Sequence, residues 1–565
     1  MTVTQTDIQA TLREAFGHES FRPGQERAIR ALLAGRDTLA IFPTGAGKSL
    51  VYQLAAQLLP GATVVVSPLL ALMKDQVEAL QANGLGVSLL NSTLSHGEAA
   101  EQLRRLRREQ AKLLYVTPER FENDEFMQAA RRLEIGLVVV DEAHCISEWG
   151  HSFRPSYLQL PGAIGRLGRP TVLALTATAT PWVRGDIVER LGLRDPEVVV
   201  RGVDRPNLFF EVRRVESEDH DRRMLRHLFT DDCDEYPPEL APRLCGAMQG
   251  SGIIYTATTR AAQETAEWLQ SWGVAADYYH GQRSRADRER VQDAFMAGGL
   301  RVIAATNAFG LGVDKPDVRF VVHRDIPGSL EAYYQEAGRA GRDGEFARCV
   351  LIYRPGDLGR AAFLSAGGQL TPEELRRAWD GMLASPGATQ RELRAATGLG
   401  QADLTRAVEL LKQAGAIAER RRRLHPRDPQ FDLARISLEG EEHRRAYERS
   451  RVEMMRGYAE ADDCRRRFVL SYFGEELAAE RCGMCDNDVP RETRQSIAVN
   501  PDEELPEPIR SPFHPGERVE HASWGAGVVQ SVAASSLTVL FDTAGYKTLA
   551  AATVQERGLL RLLEN

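Results

Sequence analysis

The chain has 565 residues, 43% hydrophobic and 27% charged, the balance of a soluble globular protein with room for three to five domains. Its formal net charge of −8 speaks against indiscriminate polyanion binding but not against a local basic groove. No run of about 18 apolar residues could cross a bilayer, the polar start "MTVTQTDIQATLREAFG" lacks a signal-peptide pattern, and a cytoplasmic protein is expected.

The first informative stretch is "RDTLAIFPTGAGKSLVYQLAA". Leu39 to Phe42 read as a strand, a Gly-rich turn follows, and a helical pattern starts at Lys48. Thr44, Gly45 and Gly47 put small residues where backbone N–H groups can converge on phosphates at a helix N-terminus. Lys48 is expected to reach the β- and γ-phosphates, and the Ser49 hydroxyl to ligate Mg²⁺. The full pattern has a glycine where Phe42 stands, so the loop is a variant.

Two further strands are predicted in "TVVVSPLLALMKDQVEAL" and "KLLYVTPERF". Then "LVVVDEAH" delivers Asp141 and Glu142 at a strand's carboxyl end, where ligands bind in open α/β sheets. Asp141 would hold Mg²⁺ through water, and Glu142 would orient or deprotonate the attacking water. The next loop, "CISEWGHSFRPSY", mixes π-faces (Trp149, Phe153) with charge and hydrogen bonding (His151, Arg154). That mixture suits single-stranded nucleic acid, where each stacked base contributes roughly 1–3 kcal/mol. The bland alternative is that both aromatics pack in the core.

After "PTVLALTATAT", a second cycle of strands and helices begins near Gly252. The alternation predicts parallel sheets with crossover helices. In "SLEAYYQEAGRAGRDG" a helix is expected to carry Arg339 and Arg342, three apart and flanked by Gly338, Gly341 and Gly344. Small neighbours allow close approach to a phosphate, and one arginine could act as a finger from the second lobe.

The ordered set "FRPGQERAI", "TGAGKS", "SPLLALMKDQV", "DEAHCISEWGHSFRPSY", "LTATAT", "ATNAFGLGVDKPDV" and "YYQEAGRAGRDG" resembles the RecQ family of superfamily 2 DNA helicases, over about residues 8 to 355. The resemblance implies an ATP-dependent 3′-to-5′ DNA helicase acting in DNA repair or recombination, with ATP and Mg²⁺ as cofactors and single-stranded or partly duplex DNA as partner. It implies that Arg22 and Gln25 read the adenine and that His18 stands where the family stacks an aromatic ring. It adds Asp314 to the nucleotide site, makes His144 and Gln335 coupling residues, and implies that the aromatic loop couples DNA to hydrolysis.

From about residue 371 several helical patterns surround the turn "ATGLGQADL", which reads as a winged-helix unit. The run Arg420 to Arg423 would lie on its wing, either as a solvated face or as a contact to duplex phosphates. "DDCRRRFVLSYFGEELAAERCGMCDND" again resembles RecQ, whose zinc module uses four cysteines. Cys464, Cys482 and Cys485 match three, and Asp488 takes the fourth place. Zinc accepts carboxylate oxygen, so a Cys₃Asp site and a metal-free module both stay open. A Pro- and acid-rich stretch reads as a linker. The alternating C-terminal segment, with most of the aromatics Trp524, Phe541 and Tyr546 expected in its core, reads as a small five-stranded barrel. It resembles the Tudor-like domain of UvrD and PcrA helicases, which implies a protein partner, with RNA polymerase the candidate.

The expected architecture is α/β: RecA-like lobes at 1–205 and 206–360, a winged-helix-like insertion at 371–440, a zinc module at 441–490, a linker at 491–512 and a barrel at 513–565. A translocase that unwinds weakly and a non-catalytic adaptor are the rival functions. Intact Lys48, Asp141, Glu142 and paired arginines argue against the adaptor.

Overall fold

Short β-branched runs in the N-terminal lobe become one seven-stranded sheet. Its strands are β1 (Thr38–Ile41), β2 (Ala62–Val66), β3 (Val87–Leu90), β4 (Leu113–Val116), β5 (Ile135–Val140), β6 (Thr171–Thr176) and β7 (Glu197–Val200). The order is β3-β4-β2-β5-β6-β1-β7, with every pair parallel. Strands this uniformly apolar need cover on both faces, and separate cores built on Val64 and Val138, and on Val65 and Val139, flank the sheet. Helices α1 (Lys48–Leu58) and α2 (Leu70–Ala82) follow β1 and β2. The structure, a computed structural model, describes all residues except 1–4, 44, 69, 83, 91–103, 105–107, 109–111, 148–152, 231–235, 310–314, 360–369, 421–422, 437–438, 480, 490–511, 515, 533–535 and 564–565.

The second lobe repeats the plan with β8 (Leu208–Arg214), β9 (Ser251–Tyr255), β10 (Ala276–Tyr279), β11 (Val302–Ala305), β12 (Val318–His323) and β13 (Ala347–Tyr353), in the parallel order β10-β11-β9-β12-β13-β8. Helix α3 (Leu330–Ala337) follows β12. The two parallel lobes agree with the expected α/β class.

Helices α4 (Pro372–Ala384), α5 (Gln390–Thr397) and α6 (Gln401–Gln413) and the hairpin of β14 (Ile417–Arg420) and β15 (Arg423–Pro426) form a unit around its own core, which includes Trp379, Leu393, Leu404 and Leu424. Capping boxes at Thr371/Glu374 and Thr389/Glu392 start α4 and α5. Arg420 and Arg423 are register partners across the hairpin, and residues 421 and 422 of the basic run lie outside the described residues.

Helices α7 (Glu439–Glu460) and α8 (Arg465–Tyr472) carry the cysteine module. Beyond α8 the chain returns to lobe 2. Phe210 N donates to Met484 O (3.2 Å) and Asp486 N to Phe210 O (3.0 Å), so the module covers the free edge of β8. Arg465 pairs with Asp486, whose carboxylate also accepts from Val212 N at 3.0 Å.

The C-terminal strands β16 (Arg518–His521), β17 (Gly525–Val532), β18 (Ser536–Phe541), β19 (Gly545–Ala550) and β20 (Leu560–Leu562) form an antiparallel sheet in the order β19-β18-β17-β16-β20. Phe541 is core and Trp524 packs against it, as expected. Tyr546 is the exception among the three. It is 3% exposed, yet it is buried outside the barrel, against Tyr447 of α7 and Tyr472 of α8, in a core shared with lobe 2. The proposed linker lies almost wholly outside the described residues. Among the described residues, no helix is long and apolar enough to cross a membrane.

Candidate active site

The phosphate loop joins β1 to α1. Gly45 (φ +81°) and Gly47 (φ +75°) take the left-handed conformation that L side chains avoid. A Cβ on Gly47 would also come within 2.6 Å of Gln25 Nε2. Buried Gln25 lies beneath the loop: its Nε2 donates to Ala46 O (3.1 Å) and Gly47 O (3.0 Å), and its Oε1 accepts from Arg22 N (2.8 Å). Arg22 Nη1 donates to Gly45 O. Both residues expected from sequence as adenine contacts thus brace the loop. Phe42, the departure from the usual glycine, buries its ring beside left-handed Gly24, where an added Cβ would sit 3.2 Å from it. Lys48 Nζ donates to Phe42 O at 3.3 Å, at the mouth of the loop. Thr44 lies outside the described residues.

Ser49 has a partner that sequence reading missed. Gln76 of α2 donates from Nε2 to Ser49 Oγ (3.0 Å), and its Oε1 accepts from Tyr52 OH (2.7 Å), which is 3.1 Å from Tyr115 OH. Two buried tyrosines thus orient the amide that orients the serine. The signal in the sequence was faint: Gln76 is one of two amides on the helix, with Gln81, and shares it with Lys74, Asp75 and Glu78.

Asp141 caps β5, its N–H bonded to Val66 O (2.9 Å) and its carbonyl accepting from buried Tyr157 OH (2.8 Å). Ser67 Oγ lies 3.4 Å from Asp141 Oδ2. Burial, then the neighbouring Glu142 charge, push the Asp141 carboxyl up to about 7, with Lys48 opposing. Glu142 holds a left-handed φ of +49°, a conformation costing about 1–3 kcal/mol for such a residue. The following turn returns part of this through a Cys145 N to Glu142 O bond of 2.8 Å.

His144 ties this strand end to "LTATAT". Its Nδ1 is 2.8 Å from Thr176 Oγ1 and 3.3 Å from Glu142 Oε2. Thr176 already donates to Thr178 O (3.1 Å), so its hydroxyl accepts here and Nδ1 carries the proton. Burial, then the positive charges of Lys48, Arg154 and Arg451, lower His144 to about 3, so it works as a neutral connector.

The arginine pair needs a correction. Helix α3 ends at Ala337, and Arg339 and Arg342 stand in the turn beyond it, not on a helix. Gly341 (φ +56°) and Gly344 (φ +90°) bend the chain away, and its carbonyls are taken by residues far upstream. Arg205 donates to Gly338 O (3.1 Å), Ala340 O (2.9 Å) and Gly341 O (2.7 Å); Asn207 donates to Gly341 O and Glu345 O, both at 2.8 Å. The turn carries Arg342 to the first lobe. Gln335 stands at the same seam, in a crevice lined by Pro43, Ala177 and Thr178 of lobe 1, by Arg205 at the lobe boundary, and by Tyr334 and Gly338 of lobe 2.

In the aromatic loop, Trp149 and His151 lie outside the described residues, as does Asp314. Phe153 and Arg154 are half-buried. Arg154 N donates to Cys145 O (2.9 Å) and its guanidinium approaches Pro68 O (3.4 Å), fixing the loop's exit to the DEAH turn.

In the cysteine module, one ligand atom each from Cys464, Cys482, Cys485 and Asp488 lie within 4.8 Å of one another. Asp488 Oδ2 also accepts from Cys482 N (2.6 Å) and Gly483 N (3.1 Å), closing the knuckle with hydrogen bonds.

Residues 22–184 match the DEAD/DEAH box helicase family, 238–344 the helicase conserved C-terminal domain, and 402–489 the RecQ zinc-binding family. Residues 513–556 match a family described as a protein of unknown function (DUF3553). The ATP-dependent DNA helicase RecQ of Bacillus subtilis (strain 168) is 35% identical over 500 residues, 87% of this chain and 69% of that protein. The protein of the same name from Synechocystis sp. is 36% identical over 491 residues, 85% of this chain and 98% of that one. That of Pasteurella multocida is 42% identical over 348 residues, and the chain spans about half of it (52%).

Proposed function

The chain belongs to the RecQ family of ATP-dependent DNA helicases, and from that premise we propose that it moves 3′ to 5′ along a single strand of DNA, separating duplex as it hydrolyses ATP. The observation that carries the mechanism is the meeting of two half-sites. Lys48, Asp141 and Glu142 come from lobe 1, and Arg342 from lobe 2 lies over the phosphate loop.

ATP held by the loop amides and Lys48 draws Arg339 and Arg342 onto its γ-phosphate and closes the seam. Glu142 orients the attacking water and takes its proton. Loss of the γ-phosphate removes the anion that held the arginines, and the lobes part. His144, bonded to Thr176 and beside Glu142, links the hydrolytic turn to the strand end facing Gln335. The loop ending in Phe153 and Arg154 reports DNA to the same turn. A step of one base pair costs on average about 1.4 kcal/mol in stacking, well within what ATP supplies.

Mg²⁺ fits this site, since the Asp141 and Glu142 carboxylates crowd one strand end and each raises the cost of leaving the other without a cation. Ser49 and Asp141 would hold it, and it would neutralise charge building on the phosphates. Zinc fits the Cys₃Asp cluster by donor type and spacing. There it would crosslink α8 to the knuckle that covers β8. A role in repair or recombination accords with the family. A protein partner for the barrel rests on sequence resemblance alone.

Lys48→Ala and Glu142→Gln, assayed on a 3′-tailed duplex, test the reading. Both should abolish ATP turnover and unwinding while the protein stays folded. Wild-type turnover in either overturns the assignment, and DNA-stimulated turnover without unwinding in the wild type reduces it to a translocase.

A further inference from the structure

Helix α3 leads into the arginine turn, so its first residues, together with Arg205 and Asn207 on the turn's carbonyls, set where the arginines stand. Ser329 caps it by accepting from Ala332 N (3.2 Å), and Glu331, in the first turn, is only 4% exposed. A carboxylate is that deeply buried only when it is paired. Tyr472 of α8 donates to Glu331, and Arg451 of α7 lies 3.6 Å from it while donating to Ser329 Oγ at 2.8 Å. The start of α3 is clamped by the cysteine module.

The clamp is closed from outside by the barrel. Tyr546 of β19 packs its ring 5.4 Å from Tyr472 and 5.8 Å from Tyr447, and Tyr447 in turn lies under the Arg451 guanidinium (5.8 Å). Arg518 of the barrel stands 6.0 Å over the Trp182 ring of lobe 1. The barrel is therefore seated on the motor.

We propose that Tyr546 is a positioning residue for ATP hydrolysis: seated against Tyr472 and Tyr447, it holds the Glu331–Arg451 clamp on α3 and so the placement of Arg339 and Arg342. This rests on the arginines acting at the γ-phosphate.

The test uses full-length Tyr546→Ala, Tyr546→Phe and, as an exposed barrel control, Arg561→Ala. Steady-state ATPase is measured together with hydrogen exchange of residues 330–337. Tyr546→Ala should lower kcat about tenfold with KM within about twofold, since small misplacements of catalytic groups cost this much and more. Exchange in α3 should quicken. Tyr546→Phe keeps the ring contacts and should stay within about twofold of wild type, as should Arg561→Ala. Unchanged kcat in Tyr546→Ala, or a fall without faster exchange in α3, overturns the proposal. If Tyr546→Ala unfolds the barrel, Tyr472→Phe and Glu331→Gln must slow turnover with the barrel's exchange intact, and wild-type turnover in both overturns it. A wild-type chain without ATPase would defeat the enzymatic reading instead, while exchange in α3 still reports the clamp.

Discussion

Arg342 of the second lobe lies over Gly45 of the first: a Cβ built on that glycine would be 3.6 Å from the arginine's Cγ. The seam is thus set for a guanidinium to reach a nucleotide. Arg342→Ala should lower kcat by about 10³ while nucleotide affinity changes little, the signature of a group acting in the transition state. Arg342→Lys should recover little, because an ammonium lacks the planar fork. Single-turnover hydrolysis beside a fluorescent-nucleotide titration measures both. A loss confined to affinity would make Arg342 a binding residue only.

The Gln76–Ser49 bond at 3.0 Å makes a second forecast. Gln76→Ala removes a donor worth about 1 kcal/mol, so the Mg²⁺ concentration for half-maximal turnover should rise about fivefold. Tyr52→Phe, which frees the far end of the amide, should shift it less. A Mg²⁺ titration at saturating ATP decides, and an unchanged midpoint in Gln76→Ala refutes the link.

Asp141, raised to about 7, makes metal binding depend on pH. Its folded value lies above the unfolded one near 4. In metal-free protein its stabilising contribution is therefore complete below about pH 4 and lost as pH rises through about 7. The cation needs the carboxylate, so divalent affinity should strengthen from about pH 6 to 8. Calorimetric Mn²⁺ titrations across that range give the slope; a flat profile contradicts it.

Phe153→Ala should cut DNA-stimulated ATPase more than basal ATPase, because Arg154, next to it, anchors the loop to the DEAH turn. Trp149→Ala should behave alike. Equal loss of both rates would mean that these rings only pack.

Asp488 presents a carboxylate to three cysteines. Elemental analysis should find about one zinc per chain, reduced in Asp488→Ala and retained in Asp488→Cys. Stable wild-type protein free of zinc would mean that the hydrogen bonds from Cys482 and Gly483 to Asp488 suffice.

The strand ends and glycine turns of the candidate site are legible in the sequence, because phosphate chemistry demands particular residues at close spacing. What stayed hidden were partners brought from far along the chain. "SLEAYYQEAGRAGR" keeps a helical rhythm, and nothing local tells that Arg205 and Asn207, more than 130 positions upstream, take the carbonyls of the turn. Tyr546 shows the same limit. A period of two marks a strand and its faces, but not whether a face meets its own barrel or a neighbour. Gln76 is one of five polar residues along α2, with Lys74, Asp75, Glu78 and Gln81, and only folding brings it to Ser49.

The covering of β8 by Met484–Asp486 also bears on how the protein is made. Strand β8 gains its sheet partner when β13 emerges from the ribosome, but its other edge waits about 130 residues more for the cysteine knuckle, roughly 7–26 s at ordinary rates of synthesis. During that interval the nascent chain displays an unpaired strand edge, open to pairing with another chain. The unit from α4 to β15, with a core of its own, is synthesised within that gap. Chains cut short before residue 484 would keep that edge for good, so aggregation during synthesis is the hazard this connectivity carries.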